Sequence, residues 1–218
     1  PAAAALSPPP EQASDHAIKT ARTLAAAADS LEALRAAMNG FEQCPLKHGA
    51  RSLVFADGDP AADLMLVGEA PGQMEDAQGL PFVGPSGHLL DRMLGAIGRD
   101  RRSVYIANIL PWRPPLNRKP ELTEIHMCLP FLVRHIELAA PKAVLALGGT
   151  AAQHLLGQDA PMHRLRGAWH DCRFGAHTVP VMATYHPAYL LRSPQGKRAA
   201  WADFLAVQKA LAPVEKGS

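Results

Sequence analysis

Four stretches of the chain hold side chains whose types and spacing could do chemistry. In Gly68-Glu69-Ala70-Pro71-Gly72-Gln73-Met74-Glu75-Asp76, two glycines flank a proline, which makes a tight turn whose backbone N–H groups can face an acceptor. Glu69 and Glu75 bring carboxylates to that turn. A second glycine-rich stretch, Gly79-Leu80-Pro81-Phe82-Val83-Gly84-Pro85-Ser86-Gly87, adds the aromatic face of Phe82. Ser86 is placed to cap the next helix and open its N-terminus to a phosphate. No Gly-Lys-Ser/Thr follows, so the spacing does not fit a Walker-type loop. Asn108 closes an apolar run. Its amide sets a donor beside an acceptor, which suits the edge of a base as well as a turn cap. His186 leads into Pro187-Ala188-Tyr189-Leu190-Leu191-Arg192. Two leucines beside an arginine fit either an apolar wedge between stacked bases or the start of a core-facing helix.

Elements must position these groups. Apolar runs at 64–67, 104–107, 143–147 and 179–183 end at Gly68, Asn108, Gly148-Gly149 and Thr184-Tyr185-His186. Such runs read as strands buried on both faces. Helical patterns cover 14–39, 86–98, 121–139, 150–157 and 197–211. The alternation predicts an α/β fold, a three-layer α/β/α sandwich with a central four-stranded, mainly parallel sheet. Pro180 places its strand at an edge, or at the point where that strand begins. Ligands of such sheets bind beyond the carboxyl ends of the strands, so the four exits should share one crevice. Residues 1–13 are Pro/Ala-rich and read as a disordered leader, 14–212 as a single domain, and 213–218 as a tail.

The 218 residues are 48% hydrophobic and 19% charged, enough for a core in one domain of ordinary size. No run approaches the roughly 20 apolar residues of a membrane span, and no signal-peptide pattern opens the chain. Cys44, Cys128 and Cys172 are too few and too scattered for a disulfide framework, and they fit a reducing, cytoplasmic setting. A net charge of +2 excludes a basic field over the whole chain. Residues 91–119 nevertheless hold seven Lys/Arg against two Asp. Arg101, Arg102, Arg113, Arg118 and Arg192 are the candidates for phosphate contact.

Taken together, GEAPGQMEDAQGLPFVGPSGHLLDRML, VYIANILPWRPPLNRKP and TYHPAYLLRSP resemble the uracil-DNA glycosylase superfamily, and most closely its family 4, over residues 31–211. The resemblance implies that Phe82 stacks on a flipped-out uracil and Asn108 reads its edge. It implies that His186 donates to uracil O2, that Glu69 and Ala70 contact the base through backbone groups, and that Glu75 lies against the pocket wall near C5. Leu190 and Leu191 would fill the gap in the duplex. Ser86, Arg113, Arg118 and Arg192 would contact DNA.

The chain departs from the superfamily's patterns at three points. Better-known members carry an Asp two residues after the first Gly of the loop, where it positions water; here Ala70 stands there and Glu69 is the nearest alternative. Family 4 members usually hold an iron–sulfur cluster on four cysteines. Here Cys44 and Cys128 match two of them, while Lys47 and Trp112 stand at the other two, so no cluster and no other metal is expected. His48, beside Lys47, reads as a surface residue. The basic, His-containing insertion by which one branch captures DNA covalently is also missing after Asn108. The expectation is a monofunctional glycosylase that acts as a monomer on uracil-containing DNA, off the membrane, with catalysis resting on His186, Glu69 and Asn108. The alternative is a uracil- or single-strand-DNA-binding protein of the same fold without efficient turnover. A nucleotide-phosphate-binding module is a weaker alternative that rests on the Gly loops alone.

Overall fold

The computed structural model describes residues 10–212. The chain opens with α1 (Pro10–Ala27), α2 (Leu31–Gly40) and the short α3 (Pro45–Gly49), then β1 (Asp57–Gly58) and β2 (Leu64–Gly68). Next come α4 (Gln73–Gln78), α5 (Pro85–Ala96), β3 (Tyr105–Asn108), α6 (Leu122–Ala139), β4 (Ala143–Leu147) and α7 (Gly149–Leu156). The last part holds α8 (Met162–Leu165), β5 (Trp169–Phe174), β6 (His177–Thr184), α9 (Pro187–Arg192) and α10 (Lys197–Ala210).

The strands form one sheet in the order β1-β3-β2-β4-β6-β5. Its inner four strands are parallel, and the two edge strands are antiparallel. Alternate residues of each inner strand feed two cores. Met65, Val67, Tyr105, Ala107, Val144 and Ala146 pack with α1, α2, α6 and α7 on one face. Leu64, Leu66, Ile106, Leu145 and Leu147 pack with Leu90 and Leu94 of α5 and Phe204 and Val207 of α10 on the other. Burial on both faces is why these strands lack polar alternation. The three-layer α/β/α architecture holds, with six strands in place of the expected four.

The two additional strands have physical reasons for escaping a hydrophobic pattern. β1 is two residues long. β5 is an edge strand with one face toward solvent, and its His170, Asp171 and Arg173 hide it. The expected helix over 14–39 is broken at Ala28-Asp29-Ser30, where the Ser30 hydroxyl caps α2 by accepting the Ala33 N–H at 3.1 Å. The leader also ends earlier than expected, because Pro10 supplies the first turn of α1. Residues 1–9 and the tail at 213–218 lie outside the described residues. β6 is not an edge strand, since β5 flanks it. Its pairing with β4 begins only at Val181, so Pro180 sits where a single neighbour is present.

One buried histidine links the sheet to α6. His135 Nε2 lies 2.7 Å from the Tyr105 hydroxyl, and its ring stacks on Phe55 with centroids 4.4 Å apart. Burial pushes the imidazole down to about 3. Unfolded, it titrates near the ordinary value of about 6.5. Because the folded pKa is the lower one, the unfolded chain binds more protons between the two values, and stability is lost as pH drops through that window. His135 should therefore cost the fold about 1.4 kcal/mol per pH unit below pH 6.5, and nothing above it. Urea denaturation of the parent and of His135→Phe at pH 7 and 5 checks this: the parent midpoint should drop more steeply, and equal slopes would contradict it.

Candidate active site

The four parallel strands release the chain on the same side of the sheet, and their exits line a cleft of about 590 Å³. Glu69 to Gly72 follow β2, Asn108 ends β3, Leu147 to Gly149 leave β4, and His186 follows β6. The sequence-predicted Glu69, Ala70, Glu75, Phe82, Ser86, Asn108, Arg118, His186 and Arg192 all reach this cleft. Two glycines make the convergence possible. A Cβ on Gly68 would fall 2.4 Å from Asn108 Oδ1 and 2.6 Å from the Phe82 ring. Gly148 has φ +93° and takes up the space against His186, whose Cβ would lie 2.9 Å from an added carbon.

At the floor of the cleft, Asn108 is only 8% exposed. Its Oδ1 is the one buried side-chain polar atom without a hydrogen-bond partner among the described residues. An acceptor left like this costs roughly 1–3 kcal/mol unless something enters to donate to it. Beside it, Glu69 accepts the Thr150 hydroxyl on Oε2 at 2.5 Å.

The Phe82 turn is held from two directions. Glu75 accepts three backbone N–H groups, from Gly72 at 3.1 Å, Val83 at 3.0 Å and Gly84 at 2.9 Å. Its carboxylate thus serves as a brace as well as pocket wall. Arg101 donates to the Pro81 carbonyl at 3.1 Å and to the Phe82 carbonyl, and pairs with Asp57 at 2.6 Å and Asp91 at 2.8 Å. Phe82 itself sits at φ +54°, in the left-handed region. Arg101 is therefore not the phosphate contact expected of it. Its guanidinium faces inward because two carboxylates and two carbonyls surround it. Arg102 pairs with its neighbour Asp100 at 3.0 Å, also away from the cleft lining.

His186 is placed by a separate network. At the end of β6, the Thr184 hydroxyl donates to the buried Asp203 at 2.7 Å, and Arg166 pairs with the same carboxylate at 2.5 Å. His186 Nδ1 accepts the Ala188 N–H at 3.1 Å. That bond leaves the proton on Nε2, making it a donor. Burial, with Arg192 adding to it, lowers the imidazole pKa to about 4, so the ring is neutral at physiological pH. Its ring stacks toward Phe82 with centroids 5.4 Å apart.

The rim is mixed. Gly84, not Ser86, is the N-cap of α5; Pro85 takes the first helical position and pushes Ser86 into the first turn, still at the cleft. Arg118 is tied to Glu124 at 2.9 Å and 2.5 Å, whereas Arg113 falls outside the cleft lining and donates to Asn117 Oδ1 at 2.7 Å. Arg192 is exposed. Leu190 is not exposed as expected: at 1% it packs with Leu89 and Ala200, because α9 turns that face inward. Leu191 stays 43% exposed. Sequence reasoning missed Asn117, Lys119 and Tyr189 as cleft residues. The first two lay in plain view inside the basic segment after Asn108.

Cys44 and Cys128 come together behind the site, their sulfurs 4.0 Å apart and buried. The hydrogen bond between them, with burial, pushes the Cys128 thiol well above its ordinary range. The other two positions do not fit a four-thiolate cluster. Trp112 is a core side chain at 2% exposure, and Lys47 turns away to the Asn39 carbonyl and Glu42. His48 is exposed against the Glu42 carbonyl. Among the described residues no three of His, Cys, Asp and Glu converge on a metal position.

Residues 55–205 match the Uracil DNA glycosylase superfamily. A Type-4 uracil-DNA glycosylase of Sulfurisphaera tokodaii is 35% identical over 186 residues, 83% of this chain and 84% of its own. Those of Archaeoglobus fulgidus and Pyrobaculum aerophilum are each 36% identical, over 81% and 75% of this chain and 90% and 86% of their own. A Type-5 enzyme of Pyrobaculum aerophilum is 34% identical over a shorter stretch, 43% of this chain and 40% of its own. The agreement spans the cleft and both of its bracing networks, and the chain belongs to the uracil-DNA glycosylase superfamily.

Proposed function

We propose that this protein is a monofunctional uracil-DNA glycosylase that extrudes uracil from DNA, hydrolyses its N-glycosidic bond and leaves an abasic site. The orphaned Oδ1 of Asn108 carries the reading. Uracil offers a donor at N3–H beside an acceptor at O4, which is the complement of a carboxamide. Cytosine presents the opposite pair, and a buried polar site rejects a ligand that leaves its groups unpaired. Phe82 supplies the ring face for stacking. Extrusion is required because the bond cannot be reached within a duplex.

Cleavage sends the N1–C1′ electron pair into the uracil ring, and negative charge gathers on O2. The Nε2–H of His186 donates there. A neutral donor fixed in a water-poor site strengthens its bond as that charge develops. Water adds to C1′. Glu69 is the group we assign to orient it: Thr150 occupies Oε2, and the other oxygen is left for the water and its proton. Arg113, Arg118 and Arg192 hold phosphates at the rim. We further propose that it acts in the cytoplasm as a monomer. No helix among the described residues is long and apolar enough to cross a membrane.

Asn108→Ala tests the base-reading role. It should fold normally yet lose uracil release from a defined oligonucleotide by two orders of magnitude or more, about the effect of one to two buried base hydrogen bonds. Release near the parent rate would remove Asn108 from the mechanism.

His186→Ala should keep its DNA affinity and melting temperature while single-turnover excision falls by about 10²–10³. The pH profile discriminates further. With the imidazole pKa near about 4, the parent rate should not fall between pH 7 and 5, and an acid limb should appear only as pH approaches that value. A limb centred near 6.5 would mean that the histidine is not held neutral.

The donor set at Cys44, Lys47, Trp112 and Cys128 leads us to expect a colourless protein without stoichiometric iron. Iron analysis after anaerobic purification decides it, and four irons per chain would refute it.

A further inference from the structure

The loop after Asn108 carries a feature that the excision chemistry does not use. Pro114, Asn117, Arg118 and Lys119 line the cleft, and between them Leu116 is 95% exposed, more than any other large apolar side chain among the described residues. A single exposed leucine needs no explanation in general. This one is held out by its backbone. Leu116 and Asn117 both sit at φ +54°, a left-handed conformation that is unfavourable for a side chain such as leucine. Bonds on both sides fix the turn. Asn117 N–H donates to the Pro114 carbonyl at 3.1 Å, Arg118 N–H to the Pro115 carbonyl at 3.0 Å, and Arg113 Nε to Asn117 Oδ1 at 2.7 Å. Arg118 is fixed in turn by Glu124.

The surroundings state what it faces. An apolar tip between Arg113 and the Arg118-Lys119 pair matches a nucleic-acid surface, where base faces lie beside phosphates. Position in the fold gives the side. β3 and β6 are separated by β2 and β4, so their exits stand three strand spacings apart, roughly 14 Å. Leu116 follows β3 and Leu191 follows β6, each between residues that line the cleft but outside the lining itself, so the two leave the sheet at exits that far apart.

We propose that Leu116 is a second apolar probe, packing onto the base stack on the flank of the extruded nucleotide opposite Leu191, so that the gap is gripped from both sides. The proposal rests on the cleft being the uracil-excision site. Its substrate is duplex DNA in particular, because only a duplex has a closed stack to be held open.

Leu116→Ala and Leu116→Phe test it in the full chain. The first readout needs no turnover: fluorescence of 2-aminopurine beside a 2′-fluorinated deoxyuridine that resists cleavage, in a duplex. The second is single-turnover excision from duplex and from single strands. Leu116→Ala should lose about half or more of the fluorescence rise and slow duplex excision about tenfold, with single-strand excision within about twofold of the parent. Leu116→Phe should retain both duplex signals, and the melting temperature should not move in either variant. Unchanged fluorescence and duplex excision in Leu116→Ala would overturn the proposal, as would equal losses on duplex and single strands. Absence of uracil release from the parent would sink the excision reading instead, and the fluorescence would still decide Leu116.

Discussion

Two opposite charges, Glu75 and Arg101, hold the Phe82 turn of the cleft in place. The loop between α4 and α5 must bring Phe82 against Gly68 with a left-handed backbone, which the chain resists on its own. Glu75 gathers N–H groups from both ends of that loop, and Arg101 gathers the carbonyls at its turn. Each charge has several partners, Asp57 and Asp91 in the case of Arg101. A network satisfied in this way is rigid, whereas removing one member would leave the others buried and unpaired. The Phe82 turn is therefore ordered by contacts made in folding.

Charge is distributed in the cleft by depth. Deep in the cleft an amide with an open acceptor and an imidazole kept neutral by burial are uncharged, and the charges lining the cleft beside them are the carboxylates of Glu69 and Glu75. Cationic groups stand at the rim, and of these Arg118 is tethered to Glu124. The division suits two tasks with different demands. Backbone phosphates are held by long-range attraction that is indifferent to sequence. An extruded base is better read by neutral hydrogen bonds, since a cation at the floor would bind anions of many kinds. The run of seven cations in 91–119 overstated the free basic charge, because Arg99, Arg101 and Arg102 are paired with acids away from the cleft lining and Arg118, which does line it, shares its charge with Glu124.

Much of this was legible in the sequence where one physical rule acted alone. The runs of β2, β3 and β4 are buried on both faces, so apolar continuity marked them, and the ligand side of a parallel sheet follows from topology. Glu69, Asn108 and His186 could be placed in one crevice on that basis. Rules that compete were harder to read. β5 mixes polar and apolar residues because it is an edge, with Asp171 and Arg173 exposed. Leu190 and Leu191 are neighbours of the same type, and only the rotation of α9 decides that one is core and the other surface. Arg101 looked like a phosphate ligand because its partners, Asp57 and Asp91, are distant in sequence and meet it only in the fold.

Trp112 links the unusual cysteine region to the site. It lies between Asn108 and the strained turn at Leu116, so whatever anchors residue 112 also anchors both. The resemblance to family 4 places a metal-ligand thiolate here, which would tie the loop down by a coordinate bond. In this chain the anchor is burial. Trp112 shares a core with Cys44 and Cys128, and the adjacent Pro111 carbonyl accepts the Val54 N–H at 2.9 Å. Withdrawing a large aromatic side chain from water stabilises by about 2–3 kcal/mol, and close packing makes the position specific as well as favourable. That suffices to fix the start of the loop, while Arg113, Asn117 and Glu124 fix its far end. Asn108 and the exposed Leu116 are thus carried on one segment with protein contacts at both of its ends.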